Sequence, residues 1–299
     1  GITTVAGNKG LDYVSNNALK LVTLMNAYCM VYKGASAAFK DLDKPEEDLT
    51  YSGDTHGFDG LGGINLERDL SKLSEMGAAD FILETVRKYP GEVEIFALGP
   101  LTNLAVAITR EPQTMKHVKT IWSMGGGVHR GNITPVSEFN YWFDAEAAEI
   151  TYGIGEDVDI YMFGLDVTYH TYFTANDFFF LKQEGGEIGK HLYDMSEDYM
   201  HSYWKNRHIT GAVIHDLVPV IYSIDPSISR KEDVYHCAMK VCCEPGQVYG
   251  QTVADLEDRF KLPKNAYIVM NADSRKFKEL FLQIVFGDIV ELYKKYVVS

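Results

Sequence analysis

The chain has 299 residues, 46% of them hydrophobic, enough to bury a substantial core in one large α/β domain or in two ordinary ones. A formal net charge of −14 speaks against nucleic acid or an anionic membrane as a partner, because either would need clustered Lys and Arg. The four cysteines, Cys29, Cys237, Cys242 and Cys243, show a vicinal pair and no C-x-x-C spacing, so neither a disulfide framework nor a zinc site is expected and a reducing, cytoplasmic compartment fits. No apolar run approaches the roughly 18 residues of a membrane span, and no signal peptide pattern is visible.

The chain opens on GITTVAGN, a β-branched strand pattern that ends in Gly7-Asn8 and reads like the middle of a domain. Over 11–32, Val14, Ala18, Leu21, Val22, Met25 and Tyr28 are spaced for one buried helical face, which predicts a helix. The polar, Gly-rich stretch 41–63 is too long and irregular for a simple connector. A helix over 66–88 then leads to VEIFALGP, a short buried strand that stops at Gly99-Pro100.

The alternation continues with a helix at 101–110, a strand at 118–123, the stretch MGGGVHRGNITPVSEFN, a helix at 145–152 and the strand VDIYMFGLDV. Beyond these come a helical, aromatic-rich segment at 176–204, the run GAVIHDLVPVIYSIDP, strand-like YHCAMKVCC and NAYIVMNAD, and a helix over 276–296. Strands apolar on both faces that alternate with helices predict an α/β fold, with a mostly parallel central sheet, helices on both faces and a Rossmann-like arrangement. No linker or repeat interrupts the pattern, which predicts a single domain over 1–299. Ligands of such sheets sit beyond the carboxyl ends of the strands, where Asn8, Gly99, the segment 124–140 and Asp166 all fall.

Within that set, Glu138 and Asn140 stand at i and i+2 and project the same way from an extended chain. With Asn132 they offer the acceptors and donors a polyhydroxylated ligand needs, and the glycines allow a ligand or backbone to come close. The competing reading is a loop that satisfies its own backbone. His215-Asp216 begins an apolar run with Pro219 behind it, so Asp216 reads equally as a helix cap or a ligand, and His215 as a proton donor. His56, in DTHGFDGLGG, is either a second member of that site or a solvated loop histidine. That loop lacks the spacing and terminal Glu of a calcium-binding helix-loop-helix, and GGGVHRG is not a dinucleotide fingerprint.

Taken in order, GITTVAGN, HGFDGLGG, LGPLTNLA, MGGGVHRGNITPVSEFN, GLDVT, HD and GQTVAD give the chain a resemblance to the calcium-dependent nucleoside hydrolases of the inosine-uridine-preferring type, over nearly its whole length. The resemblance implies cleavage of the N-glycosidic bond of ribonucleosides, with calcium as cofactor, a small-molecule nucleoside as substrate, and a homodimer or homotetramer. It implies that Asn8, Asn132, Glu138 and Asn140 bind ribose, with Met124 and Phe139 lining the sugar pocket. Asp216 and the backbone carbonyl of Leu98 become calcium ligands, and a carbonyl ligand makes no demand on the side chain at 98. His215 becomes the residue that protonates or hydrogen-bonds the departing base, while His56 and Tyr203 belong to the base-binding region.

The family's D-x-D-P-G-x-D-D cluster, which supplies further calcium carboxylates and the general base, has no counterpart in these 299 residues. It belongs just upstream of GITTVAGN, so a preceding segment of about thirty residues, roughly one strand and one helix, is expected. The alternative is a catalytically inactive nucleoside- or ribose-binding homologue.

Overall fold

The computed structural model describes residues 1–44 and 55–297; positions 45–54 of the polar loop lie outside the described residues. The elements run β1 (Ile2–Thr4), α1 (Leu11–Leu24), β2 (Val31–Lys33), α2 (Ala78–Lys88), β3 (Glu94–Ala97), α3 (Thr102–Arg110), α4 (Pro112–Met115), β4 (Thr120–Met124), α5 (Phe139–Phe143), α6 (Ala145–Tyr152) and β5 (Asp159–Phe163). They continue as α7 (Leu165–Thr168), β6 (Tyr172–Thr174), α8 (Ala175–Glu184), α9 (Gly186–Arg207), β7 (Gly211–Val213), α10 (Leu217–Ile224), β8 (Val234–Cys237), β9 (Met239–Val241), β10 (Thr252–Ala254), β11 (Ala266–Val269), α11 (Ser274–Phe286) and α12 (Ile289–Tyr296). The chain falls into two compact units.

The first unit comprises Gly1–Ser52, Leu66–Asp166 and Lys231–Met270. Its five-stranded sheet has the order β3-β4-β5-β11-β8, parallel except for β8, which runs antiparallel at one edge. This is the mostly parallel α/β sheet that the alternating pattern predicts. β4 is buried at every position, which explains why it reads as a continuous apolar run. On one sheet face, Ile121, Ile160 and Ile268 pack with Leu83 and Val86 of α2, Leu104 and Ile108 of α3, and Ala147 and Ala148 of α6. Each fully buried branched side chain contributes about 1.5–3 kcal/mol relative to exposure. The opposite face carries one ring from each strand in register, Phe96, Trp122, Tyr161, Tyr267 and His236, stacked at 6.2, 4.8, 4.6 and 4.2 Å between successive centroids.

β1 and β2 form a separate parallel pair. Asn103 anchors it: the side-chain amide donates to the Thr4 carbonyl at 3.0 Å and its oxygen accepts the Ala35 N–H at 2.9 Å. Here the helix predicted over 11–32 is corrected. It ends at Leu24, Asn26 takes φ 47°, and Val31–Lys33 becomes a strand whose Val31 is fully buried. Helical spacing up to Tyr28 loses to this pairing with β1. The helix predicted over 66–88 begins only at Ala78, after a single 3₁₀ turn, Leu70–Lys72, capped by Asp69.

The second unit comprises Gly53–Asn65, Val167–Arg230 and Asn271–Ser299. A short antiparallel pair, β6 with β7, lies among helices α8 to α12. The segment predicted helical at 176–204 is two helices that meet at Gly185-Gly186, and the final one breaks at Gly287, whose φ of 68° suits glycine alone among ordinary residues. Buried Asp177 accepts from Lys278 at 2.7 Å and from Tyr293 at 2.5 Å, tying α8 to α11 and α12. Among the described residues, no helix is long and apolar enough to cross a membrane.

Candidate active site

In the first unit the residues of interest collect at the carboxyl ends of β1, β3 and β4. A side-chain carbon on Gly7 would meet the Pro100 ring at 3.0 Å and Phe139 at 3.8 Å, so the ends of GITTVAGN and LGP and the start of α5 share one neighbourhood. Asn8 is exposed there, and Leu98 directly follows β3. After β4 the chain turns through Gly125, Gly126 and Gly127. A side chain on Gly125 would overlap the Tyr141 ring, Gly126 has φ 72°, and one on Gly127 would overlap the Arg130 carbonyl. These glycines therefore admit the protein's own ring and backbone.

The same turn is organised by Glu138, which is buried and caps α5. Its Oε1 accepts the Asn140 N–H at 2.9 Å, and its Oε2 accepts those of Gly126 at 2.9 Å and Tyr141 at 3.2 Å. Both carboxylate oxygens are thus engaged with backbone, the self-satisfying arrangement weighed above for this loop. Asn140 donates its amide to the Met124 carbonyl at 3.1 Å, and exposed Asn132 accepts the Phe139 N–H at 2.9 Å. Asp166 holds the loop from the other side, accepting the N–H groups of Val128 at 2.6 Å and His129 at 3.1 Å. Beneath it, Tyr141 bridges Ser123 at 2.8 Å and Tyr152 at 2.7 Å, and burial raises both phenols well above the ordinary range.

In the second unit His215, Tyr203 and His56 belong to one cluster. His215 Nε2 lies 2.9 Å from Tyr203 Oη, and its Nδ1 lies 2.7 Å from Thr168 Oγ1. Tyr203 contacts Tyr199 Oη at 3.3 Å, one helical turn back on α9, and Tyr199 donates to the Val213 carbonyl at 3.0 Å. His56 stacks on Tyr199 at 4.5 Å between centroids, and Tyr169 meets His215 edge-on at 5.6 Å. Burial, with the charges of His56 and Arg207 adding, lowers the His215 pKa to about 3, so the ring is neutral near pH 7.

Asp216 occupies the N-cap position of α10 yet makes no side-chain cap bond, and its carboxyl has neither a hydrogen bond nor an ion pair among the described residues. The residue has open surface, yet the protein crowding its carboxyl pushes the pKa up to about 7. Water on the open side offsets part of that rise, so the upward direction is the property that matters. A cap would have explained Asp216 structurally, and that explanation fails. Among the described residues no three His, Cys, Asp or Glu side chains converge as metal ligands.

The family model described as "Inosine-uridine preferring nucleoside hydrolase" matches residues 1–279. The chain belongs to that family. Among relatives of this nucleoside hydrolase, the pyrimidine-specific ribonucleoside hydrolase RihB of Escherichia coli O157:H7 is 29% identical over 289 residues, covering 97% of this chain and 89% of that protein. Two solved structures are similar at a TM-score of 0.85 and 27% identity: a plant nucleoside hydrolase, covering 95% of this chain and 89% of that one, and the purine-preferring ribonucleoside hydrolase from Gardnerella vaginalis, covering 98% and 90%. The activity class of this nucleoside hydrolase is therefore the hydrolysis of ribonucleosides, and its substrate is a small molecule.

The sequence places Asp166 at the ligand end of its strand without giving its side chain a partner, and it does not single out Thr168 or Tyr199, although Thr168 stands in the GLDVT motif. Tyr199 had a signal: it precedes Tyr203 by four residues, the spacing that stacks side chains on one helix face. His129 gains no side-chain role; its backbone N–H is the part that is used.

Proposed function

We propose that the hydrolysis cleaves the N-glycosidic bond to give ribose and free base through an oxocarbenium-like state, in which carboxylate and amide oxygens face the positive charge that develops on the sugar ring. The ribose contacts fall to Asn8, Asn132, Glu138 and Asn140, with Met124 and Phe139 lining the sugar. For Glu138 that role is shared with its capping bonds. The departing base takes electron density with it, and His215 answers with an N–H hydrogen bond, since burial keeps its ring neutral. Tyr203 and His56 shape the surroundings of that histidine.

The observation that carries this reading is Asp216, a carboxyl beside the donor histidine on a residue with open surface, at a cap position without a cap bond. Such a carboxylate fits a cation, and its hard oxygen suits calcium. A single carboxylate falls short of the about six to eight oxygens that calcium takes, so further donors are required. Bound calcium supplies positive charge to a held water and to ribose hydroxyls.

The second reading is a nucleoside- or ribose-binding homologue without hydrolysis. Release of free base from inosine and uridine, with calcium added or chelated, separates the two. Base release that disappears on chelation supports hydrolysis, whereas calorimetric binding of ribose without any release supports the binder. We also propose a homodimer or homotetramer, which light scattering on the eluting protein tests.

A further inference from the structure

Ile2 and Ala6 stand four positions apart in the chain, yet the carbonyls that accept their N–H groups, those of Met30 and Ala35, each at 2.9 Å, stand five positions apart. The chain leaving β2 therefore carries one extra residue around Gly34 and Ala35, a β-bulge, which is rare between parallel strands. A bulge leaves a backbone group unpaired, and buried Asn103 takes it up: Oδ1 accepts the Ala35 N–H at 2.9 Å, while the side-chain amide donates to the Thr4 carbonyl at 3.0 Å. The carboxamide has one possible orientation, because the Ala35 N–H can only donate and the Thr4 carbonyl can only accept. Gly34 makes room for it, since a side chain there would overlap both the Asn103 amide and the Thr4 carbonyl.

The Ala35 carbonyl holds the N–H of Ala6, two residues before Asn8. Asn8 makes no side-chain hydrogen bond among the described residues, so its direction is set by the backbone that carries it. Without the Asn103 amide, the Ala35 N–H loses its partner and the regular ladder becomes available, with Ala6 bonded to the Gly34 carbonyl one residue earlier.

We propose that Asn103 is a positioning residue for the reaction: by holding the bulge open it sets where the end of β1 lies and so aims Asn8 at the ribose. Bulges beside active sites re-aim side chains in this way. The inference deepens the reading in which Asn8 binds ribose, and it rests on that reading.

A double-mutant cycle on kcat/KM, built from Asn8→Ala and Asn103→Ala, tests it. Each single change is expected to lower kcat/KM about tenfold or more on inosine, uridine and p-nitrophenyl riboside alike, because all three present the same sugar. Asn103→Ala is expected to have no further effect in the Asn8→Ala background. Losses that multiply in the double variant overturn the positioning role and leave Asn103 a structural anchor. An Asn8→Ala enzyme as active as wild type overturns the ribose role of Asn8, and the proposal with it. If wild type turns over no ribonucleoside, the hydrolysis reading falls and the same cycle is read from calorimetric affinity for ribose.

Hydrogen exchange reads the bulge itself. The Ala35 amide and the Asn103 side-chain amide should exchange slowly in wild type, and the Ala35 amide about tenfold faster or more in Asn103→Ala. A freely exchanging Ala35 amide in wild type overturns the proposal whether or not the variant folds. If Asn103→Ala does not fold, Asn103→Asp replaces it in the cycle, since it keeps the acceptor for Ala35 and sets a second oxygen against the Thr4 carbonyl.

Discussion

Gly126 donates its backbone N–H to Oε2 of Glu138 at 2.9 Å, joining the left-handed turn after β4 to the residue that opens α5. Glutamine at 138 keeps the shape and replaces one acceptor by an NH₂ that faces a backbone N–H. Glu138→Gln is therefore expected to cost about 1–3 kcal/mol as well as weakening ribose binding. Gly126→Ala adds a carbon 2.6 Å from Thr252 Oγ1 at a φ that only glycine takes easily, and lowers stability further. Urea unfolding checks both, and a midpoint equal to wild type would contradict the assignment.

His215→Ala removes the donor for the departing base. Turnover of inosine and uridine should fall about 10²-fold or more, and that of p-nitrophenyl riboside far less. Steady-state rates on both substrate types measure the difference; equal losses would remove His215 from this role.

Asp166 acts on the loop and not on the base. Asp166→Ala frees the N–H groups of Val128 and His129 and loosens the segment that carries Asn132, so KM should rise for every riboside, p-nitrophenyl riboside included. A loss confined to inosine and uridine would place Asp166 elsewhere in the mechanism.

The two neighbours at the start of α10 pull stability in opposite directions with pH. Asp216 is raised from 3.8 to about 7, so between those values the folded state holds more protons than the unfolded one and stability falls as pH rises. His215 is lowered from 6.5 to about 3, so its contribution is present above 6.5 and is lost as pH drops through that window. Asp216→Asn should flatten the first trend and abolish any rise in Tm on adding calcium, leaving the acid-side loss in place. A calcium-induced rise that survives in Asp216→Asn would detach the residue from the cation.

The alternation of strand and helix is legible because a buried parallel strand reads as a short apolar run closed by glycine, as TIWSM does; VEIFALGP reads the same way but is no buried strand, since β3 lies at the sheet edge with Glu94 and Phe96 exposed. β2 is hidden, since three residues inside a helical spacing become a strand only through pairing with β1. At the site, residue type marks Glu138, Asn140 and His215, yet the pairing of Glu138 with Gly126 spans 12 positions and no spacing rule reports it. The tyrosine row behind His215 is half visible as an i, i+4 pair on α9. Its end at the Val213 carbonyl is a backbone contact, for which the side chain at 213 carries no signal.

The row of rings across the five-stranded sheet supplies a built-in optical probe. Trp122 lies between Phe96 and Tyr161, donates Nε1–H to Glu94 at 2.8 Å and is 9% exposed, whereas Trp142 and Trp204 are 36% and 53% exposed. Its emission should be blue-shifted and shielded from aqueous quenchers relative to theirs. Since each contact joins a different strand, a slip of one residue in β3 or β5 would turn a neighbouring ring to the other face and change that signal while the helices stay intact.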